Sequence, residues 1–139
     1  MSTFKSSREF REVMDRTFTL MSEDPEMGPR LRAADTPQQF RFPDLDLVVN
    51  IRAGGANEPN LTWEWKDEVT WEPQVKMEMS SETANRYFQG KENIAIAIAR
   101  RRIKAGGDVK AALHIIPITK PLFARYNEMI AADYPHLQV

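Results

Sequence analysis

Residues 75–107 constrain the fold more than any other part of the chain, because VKMEMSSETANRYFQGKENIAIAIARRRIKAGG sets several backbone patterns side by side. Val75, Met77 and Met79 alternate with Lys76, Glu78 and Ser80. A period of two predicts a half-buried strand. Ser80 or Ser81 follows with a hydroxyl oxygen suited to accept from the orphan N–H groups of a helix start. Ala84, Tyr87 and Phe88 then recur at helical spacing, and Gly90 can end that helix. Ile94 to Ala99 reads I-A-I-A-I-A, which by period alone is a strand.

The section before it reads as a meander. Leu45, Leu47, Val49 and Ile51 alternate with Asp46, Val48, Asn50 and Arg52, and Gly54-Gly55-Ala56-Asn57 marks a turn. Leu61, Trp63 and Trp65 form a second alternating set, and Val69 and Trp71 a third. Thr36-Pro37 and Phe42-Pro43 punctuate the approach to this sheet. Short links favour antiparallel pairing, with one sheet face left in water. A one-residue slip would expose every tryptophan, so the register is tightly specified.

Helices are expected on either side. From Ser7 to Met21, the residues Phe10, Val13, Met14, Thr17, Leu20 and Met21 share one face, opposite Arg8, Glu12 and Asp15. Asp24 suits a cap and Pro25 a first helical position, which predicts a short second helix through Leu31. Val109 to Ile116 reads as a short helix that stops before Pro117. Lys120 to Ala132 places Leu122, Phe123, Tyr126, Met129 and Ile130 on one face, with Pro121 near its start and Pro135 after its end.

This order of strand, cap, short helix ending in Phe88-Gln89-Gly90-Lys91, apolar segment and Ile103-Lys104-Ala105-Gly106 resembles the core of the sterol carrier protein 2 (SCP2) domain. The segments S-x-E-T-A-x-R-Y-F-x-G-K from Ser80 and R-I-K-A-G-G from Arg102 are similar to those of small stand-alone bacterial proteins of that family, as is the tail K-P-L-F-A-R-Y over Lys120 to Tyr126. The resemblance implies an α+β fold: a five-stranded, mostly antiparallel sheet with one face covered by helices. It makes Ile94 to Ala99 a helix, which Asn93 can cap, followed by a strand around Arg102 to Ala105. It also implies a non-enzymatic carrier holding an acyl chain, fatty acid, sterol-like or isoprenoid lipid in a tunnel between sheet and helices. The expected lining is Val49, Ile51, Trp63, Trp65, Met77, Tyr87, Phe88, Ile98, Phe123, Tyr126 and Met129, with the C-terminal helix as a moving lid. Flexible methionines and bulky aromatics suit such a wall. The same side chains can instead fill a closed core, in which case the chain is an accessory module acting through protein–protein assembly.

Composition sets the remaining bounds. A chain of 139 residues is expected to form one domain spanning 1–139, large enough to bury about two thirds of its unfolded surface without a metal or disulfide staple. With no cysteine, two histidines and no H-x-x-x-H or H-E-x-x-H spacing, no metal site is expected. A net charge of −1 gives no electrostatic reason to bind nucleic acid. No nucleophile elbow, P-loop or dinucleotide fingerprint is present, so neither an enzyme nor a cofactor is expected. The charged N-terminus and short apolar runs make a soluble cytoplasmic chain the default. Arg100-Arg101-Arg102 with Lys104 is the one basic run, either a solvated face or a mouth for a lipid headgroup. Transient membrane contact and a homodimer stay open as partner readings.

Overall fold

The computed structural model describes residues 3–139. These residues form six helices, a short 3-10 turn and a five-stranded sheet. Helix α1 runs Ser7–Glu23. It begins where the Ser6 hydroxyl accepts from the Glu9 N–H at 3.1 Å. It buries Phe10, Val13, Met14, Thr17 and Phe18, the i, i+3, i+4 row that an amphipathic helix lays on a core. Helix α2 spans Met27–Ala34. Its N-cap position is Glu26, which makes no side-chain cap bond; Asp24, two residues upstream, serves this helix start instead, its Oδ1 accepting from the Glu26 and Met27 N–H groups at 2.9 and 2.8 Å. Pro25 lies in the turn before the helix, and Pro29 is taken into it.

The strands are β1 Gln38–Phe42, β2 Leu47–Ala53, β3 Leu61–Glu64, β4 Val75–Met79 and β5 Ile103–Gly107, in the order β3-β2-β1-β4-β5. Three of the four pairings are antiparallel, and β1 with β4 is parallel. This corrects the meander in two places. Gln38–Phe42 is a strand although Pro37 and Pro43 flank it, and it sits at the centre of the sheet. Val69 to Trp71 is not a strand. The chain leaves β3 at the sheet edge and must pass β2 and β1 to reach the place of β4, so this stretch is spent on the crossing. Asn50 Nδ2 donates to the Lys66 carbonyl at 2.7 Å, and the Arg52 guanidinium lies 5.7 Å from the Trp71 ring centre. Asn50 and Arg52 point away from the core-facing Val49 and Ile51, so the crossing lies over the outer face and Trp71 belongs to that face.

The inner face carries Phe40, Phe42, Val49, Ile51, Leu61, Trp63, Val75, Met77 and Met79, and the helices pack on this side of the sheet, α6 behind α3. Helix α3 is Ser81–Phe88, with the Ser80 hydroxyl accepting from the Thr83 N–H at 3.1 Å. Ile94–Ala99 is helix α4, capped by Asn93, whose Oδ1 accepts from the Ile96 N–H at 3.0 Å. The alternation of Ile and Ala misleads there: the segment is one and a half turns long, and Ile94 with Ala97 face the core while Ile96 faces out. Gly107, at φ 73°, ends β5 where a Cβ would meet the Gln74 carbonyl at 2.3 Å, so a glycine is required.

Helix α5 runs Val109–Thr119 and does not stop before Pro117. A proline removes one N–H and crowds the carbonyl four residues back, yet the helix continues because Ile118 and Thr119 bury their side chains beyond it. Helix α6 is Leu122–Asp133, and the 3-10 turn Pro135–Leu137 follows. The Leu137 carbonyl is gripped by Asn85 Nδ2 and Gln89 Nε2, each at 2.8 Å. Asn85 Oδ1 in turn accepts from the Tyr126 hydroxyl at 2.6 Å. This buried network ties α3, α6 and the C-terminal turn together.

Candidate functional site

An apolar cavity of about 90 Å³ lies between the inner face of the sheet and the helices. Helix α1 supplies Met14, Phe18 and Met21, and α2 supplies Leu31. The sheet contributes Gln38, Phe40, Phe42, Ile51, Leu61, Met77 and Met79. Helix α3 adds Ala84, Tyr87 and Phe88, α4 adds Ile94, and α5 adds Ala112, Ile115, Ile116 and Thr119. No charged side chain is among them. The space is several times what one water needs and smaller than the roughly 300–1,000 Å³ of pockets that enclose a drug-sized ligand. Four methionines in the wall can change rotamer at little cost, so the volume is adjustable.

Three polar groups reach the cavity. The Thr119 hydroxyl lies 3.0 Å from the Ile116 carbonyl and 3.1 Å from the Tyr87 hydroxyl, and either hydroxyl can be the donor between Thr119 and Tyr87. Burial pushes the Tyr87 phenol above its ordinary value, and the hydrogen bond with Thr119 opposes this in part. The half-buried Gln38 amide has no hydrogen-bond partner among the described residues, so one donor–acceptor group is free at the wall.

The expected lining residues fall into groups. Ile51, Met77, Tyr87 and Phe88 border the cavity. Val49 is fully buried on the same sheet face but is packed away from it. Trp63 and Trp65 are held on the side of α1: both indole N–H groups donate to Asp15 Oδ1, at 2.9 and 2.7 Å, and their rings meet Phe18 and Phe10 edge-on. Ile98 packs half-buried on α4, where Ile94 is the residue that reaches the cavity. Phe123, Tyr126 and Met129 stand on α6, which contributes nothing to the wall. Phe123 packs on Tyr87 and Tyr126 on Phe88, at ring-centre distances of 5.3 and 5.4 Å, so α6 is a second layer behind α3 rather than a cover over the cavity.

Sequence reasoning passed over the contributions of α1, α2, β1 and α5. The row Met14, Phe18, Met21 was legible as helix spacing, and Phe40 with Phe42 as alternation. Nothing local distinguishes the α5 residues from ordinary core. The basic run lies apart from the cavity. Arg102 Nε and Arg86 Nε both reach the Glu92 carboxylate, at 3.1 and 3.4 Å, and Lys104 pairs with Glu78 at 3.4 Å. Arg100 and Arg101 are exposed. His114 is exposed on α5, and His136 meets Glu9 at 2.9 Å. Among the described residues no cluster of three or more His, Asp or Glu is placed to hold a metal ion, and no helix is long and apolar enough to cross a membrane.

No model of a known protein family matches the sequence, and no curated protein matches it. Solved structures do match. The UbiJ-SCP2 ubiquinone synthesis protein superposes over 88% of this chain and 95% of that one, with a TM-score of 0.62 at 9% identity. The sterol carrier protein domain 2 of Helicoverpa armigera superposes over 84% and 88%, with a TM-score of 0.56 at 17% identity. The stereoselective inverting sec-alkylsulfatase Pisa1 from Pseudomonas sp. matches over 66% of this chain, with a TM-score of 0.56 at 16% identity, but the match spans 14% of that chain. At such identities the likeness is one of fold.

Proposed function

From a chain that has the SCP2-like fold, we propose a non-enzymatic domain that binds and carries an apolar ligand: a fatty acid, acyl chain, sterol-like or isoprenoid lipid. The observation that carries this reading is the uncharged, methionine-rich cavity between sheet and helices. Burial of an alkyl chain there contributes about 0.8 kcal/mol per methylene. The Tyr87 hydroxyl and the Gln38 amide are the groups that would orient a polar end. An apolar wall discriminates weakly between neighbouring homologues, so the specificity is for class rather than for one compound. A whole lipid needs more room than about 90 Å³, so uptake requires the helices to part from the sheet. The wall is built from α1, α2, α3, α4 and α5, which makes these, rather than α6, the elements that move.

The test is native mass spectrometry of freshly purified protein, followed by denaturing extraction and lipid analysis. A co-purified fatty acid, phospholipid or isoprenoid is the expected result. A clean apo mass, together with no tryptophan fluorescence change across a panel of lipids, overturns the carrier reading. A second reading then takes its place: an accessory module that acts by packing on a partner. The match to a small part of a much larger sulfatase chain favours it, and a stable complex or homodimer in solution is its mark.

A further inference from the structure

The short helix α4 turns its two sides to different surroundings. Ile94 borders the cavity on the inner side, whereas Ile96 is 48% exposed, with Ala95 and Ala99 exposed beside it. Immediately after, Arg100 and Arg101 extend exposed side chains that form no hydrogen bond or ion pair among the described residues. Helix α3 closes with Gly90 N–H to the Tyr87 carbonyl at 2.9 Å and Lys91 N–H to the Arg86 carbonyl at 2.8 Å, with Gly90 at φ 79°. Helix α4 closes with the same pair of bonds, Arg101 N–H to the Ile98 carbonyl at 3.1 Å and Arg102 N–H to the Ala97 carbonyl at 2.9 Å. This is the cap in which glycine is preferred, because the residue must be left-handed. Arg101 holds that position at φ 61°. Among the described residues, the other non-glycine residues with positive φ are Asp35 and Asp46, a residue type that tolerates it. An arginine kept in a conformation that opposes its side chain is a pointer to function.

We propose that the tip of α4 docks on the surface of an anionic lipid bilayer, with Ile96 entering the interfacial layer and Arg100 and Arg101 meeting lipid phosphates. Charge favours this occupant. Glu92 pairs Arg86 and Arg102, and Glu78 pairs Lys104, which leaves Arg100 and Arg101 as the uncompensated cations beside Ile96, in a chain whose net charge is −1. An exposed aliphatic side chain flanked by unpaired guanidinium groups matches a surface that is apolar below and anionic above. A nucleic acid would engage the arginines and leave Ile96 without a partner. Helix α1 offers no such surface, because its apolar residues Phe10, Val13, Met14 and Phe18 are buried in the core. Docking by α4 would hold the source of lipid next to a helix that walls the cavity. That consequence rests on the carrier reading, but the docking itself does not.

The experiment is co-sedimentation of the full chain with vesicles of phosphatidylcholine alone and of phosphatidylcholine with an equal part of phosphatidylglycerol. The expected result is binding to the mixed vesicles only, weakening as salt is raised. Arg100→Gln and Arg101→Gly are each expected to lower partitioning about fivefold, and Ile96→Gln to lower it further. Arg101→Gly is also expected to unfold at the same or a higher temperature, which separates lost docking from lost folding. Equal binding to both vesicle types, binding to neither, or unchanged binding of the Arg100→Gln/Arg101→Gly variant overturns the proposal. A fluorescent fatty acid delivered from solution keeps the two readings apart. Probe binding without vesicle binding removes the docking and leaves the carrier, and vesicle binding without probe binding does the reverse.

Discussion

At the scale of single residues, the most consequential group is Asn85. It is 1% exposed and joins three elements through one amide. Its oxygen accepts from Tyr126 and Gln89, and its nitrogen donates to Leu137. Removing a buried partner costs more than the bond it made, because the remaining groups stay desolvated. Asn85→Ala is therefore expected to lose about 2–4 kcal/mol in urea unfolding. Tyr126→Phe, which leaves Gln89 to satisfy the Asn85 oxygen, is expected to lose about 1–2 kcal/mol. Equal losses would show that the network is not organised around Asn85. The tyrosines also set an alkaline limit. Burial pushes the phenols of Tyr126, Tyr87 and Tyr134 above their ordinary value, Thr119 opposing this at Tyr87, and Glu12 adding to it and Arg16 opposing it at Tyr134. The unfolded chain loses these protons near pH ~10 and the folded chain retains them to higher pH. Stability is thus unaffected by these groups below about pH 10 and falls as pH rises beyond it. Tyrosine ultraviolet titration of native and urea-unfolded protein checks this, with the native curve expected at higher pH.

At the scale of elements, α5 is the wall that carries a proline inside its helix. Pro117 leaves the helix one N–H short in the stretch that presents Ile115, Ile116 and Thr119 to the cavity. Pro117 is exposed, so its replacement disturbs no packing. Pro117→Ala is expected to raise stability by about 1–3 kcal/mol, read as a shift in the urea midpoint. A loss of stability would mean that the proline ring at 117 is needed for α5 to seat its apolar residues. The sheet has a comparable dependence. The chain from Trp65 to Gln74 crosses the outer face on the Asn50–Lys66 bond and the Arg52–Trp71 stack. No propensity in Val69 or Trp71 records that crossing, because a stretch able to form a strand becomes one only where a free sheet edge awaits it.

At the scale of the whole molecule, the cavity is a packing defect, and the proposed carriage of a ligand would give it a use. An unfilled apolar space deprives its lining of contacts, so filling it should stabilise the empty protein and exclude a ligand. Ala112 is 4% exposed and borders the space. Ala112→Leu is expected to raise the unfolding temperature of the apo protein and to weaken binding of a fluorescent fatty acid at least tenfold, the direction opposite to that of a binding variant that merely unfolds. A variant with unchanged fatty-acid affinity would place the ligand elsewhere.

Much of this was decided by the sequence itself. Alternation at Val75–Met79, helical spacing after Ser80 and the caps at Asp24, Ser80 and Asn93 are local. Their hydrogen bonds close within four residues, so local chemistry suffices. Four of the expected lining residues, Ile51, Met77, Tyr87 and Phe88, meet at the cavity because a strand face and a helix face can be read from period. The tertiary structure decided the rest. Only the strand order makes Gln38–Phe42 central and turns Val69–Trp71 into a crossing. Only the packing of α1 against the sheet edge draws Trp63 and Trp65 onto Asp15, and only the stacking of α6 behind α3 keeps Phe123, Tyr126 and Met129 from the wall. Periodicity says which side chains leave water. Which of them close a core and which border a space depends on elements far apart in the chain, and no local pattern encodes that distance.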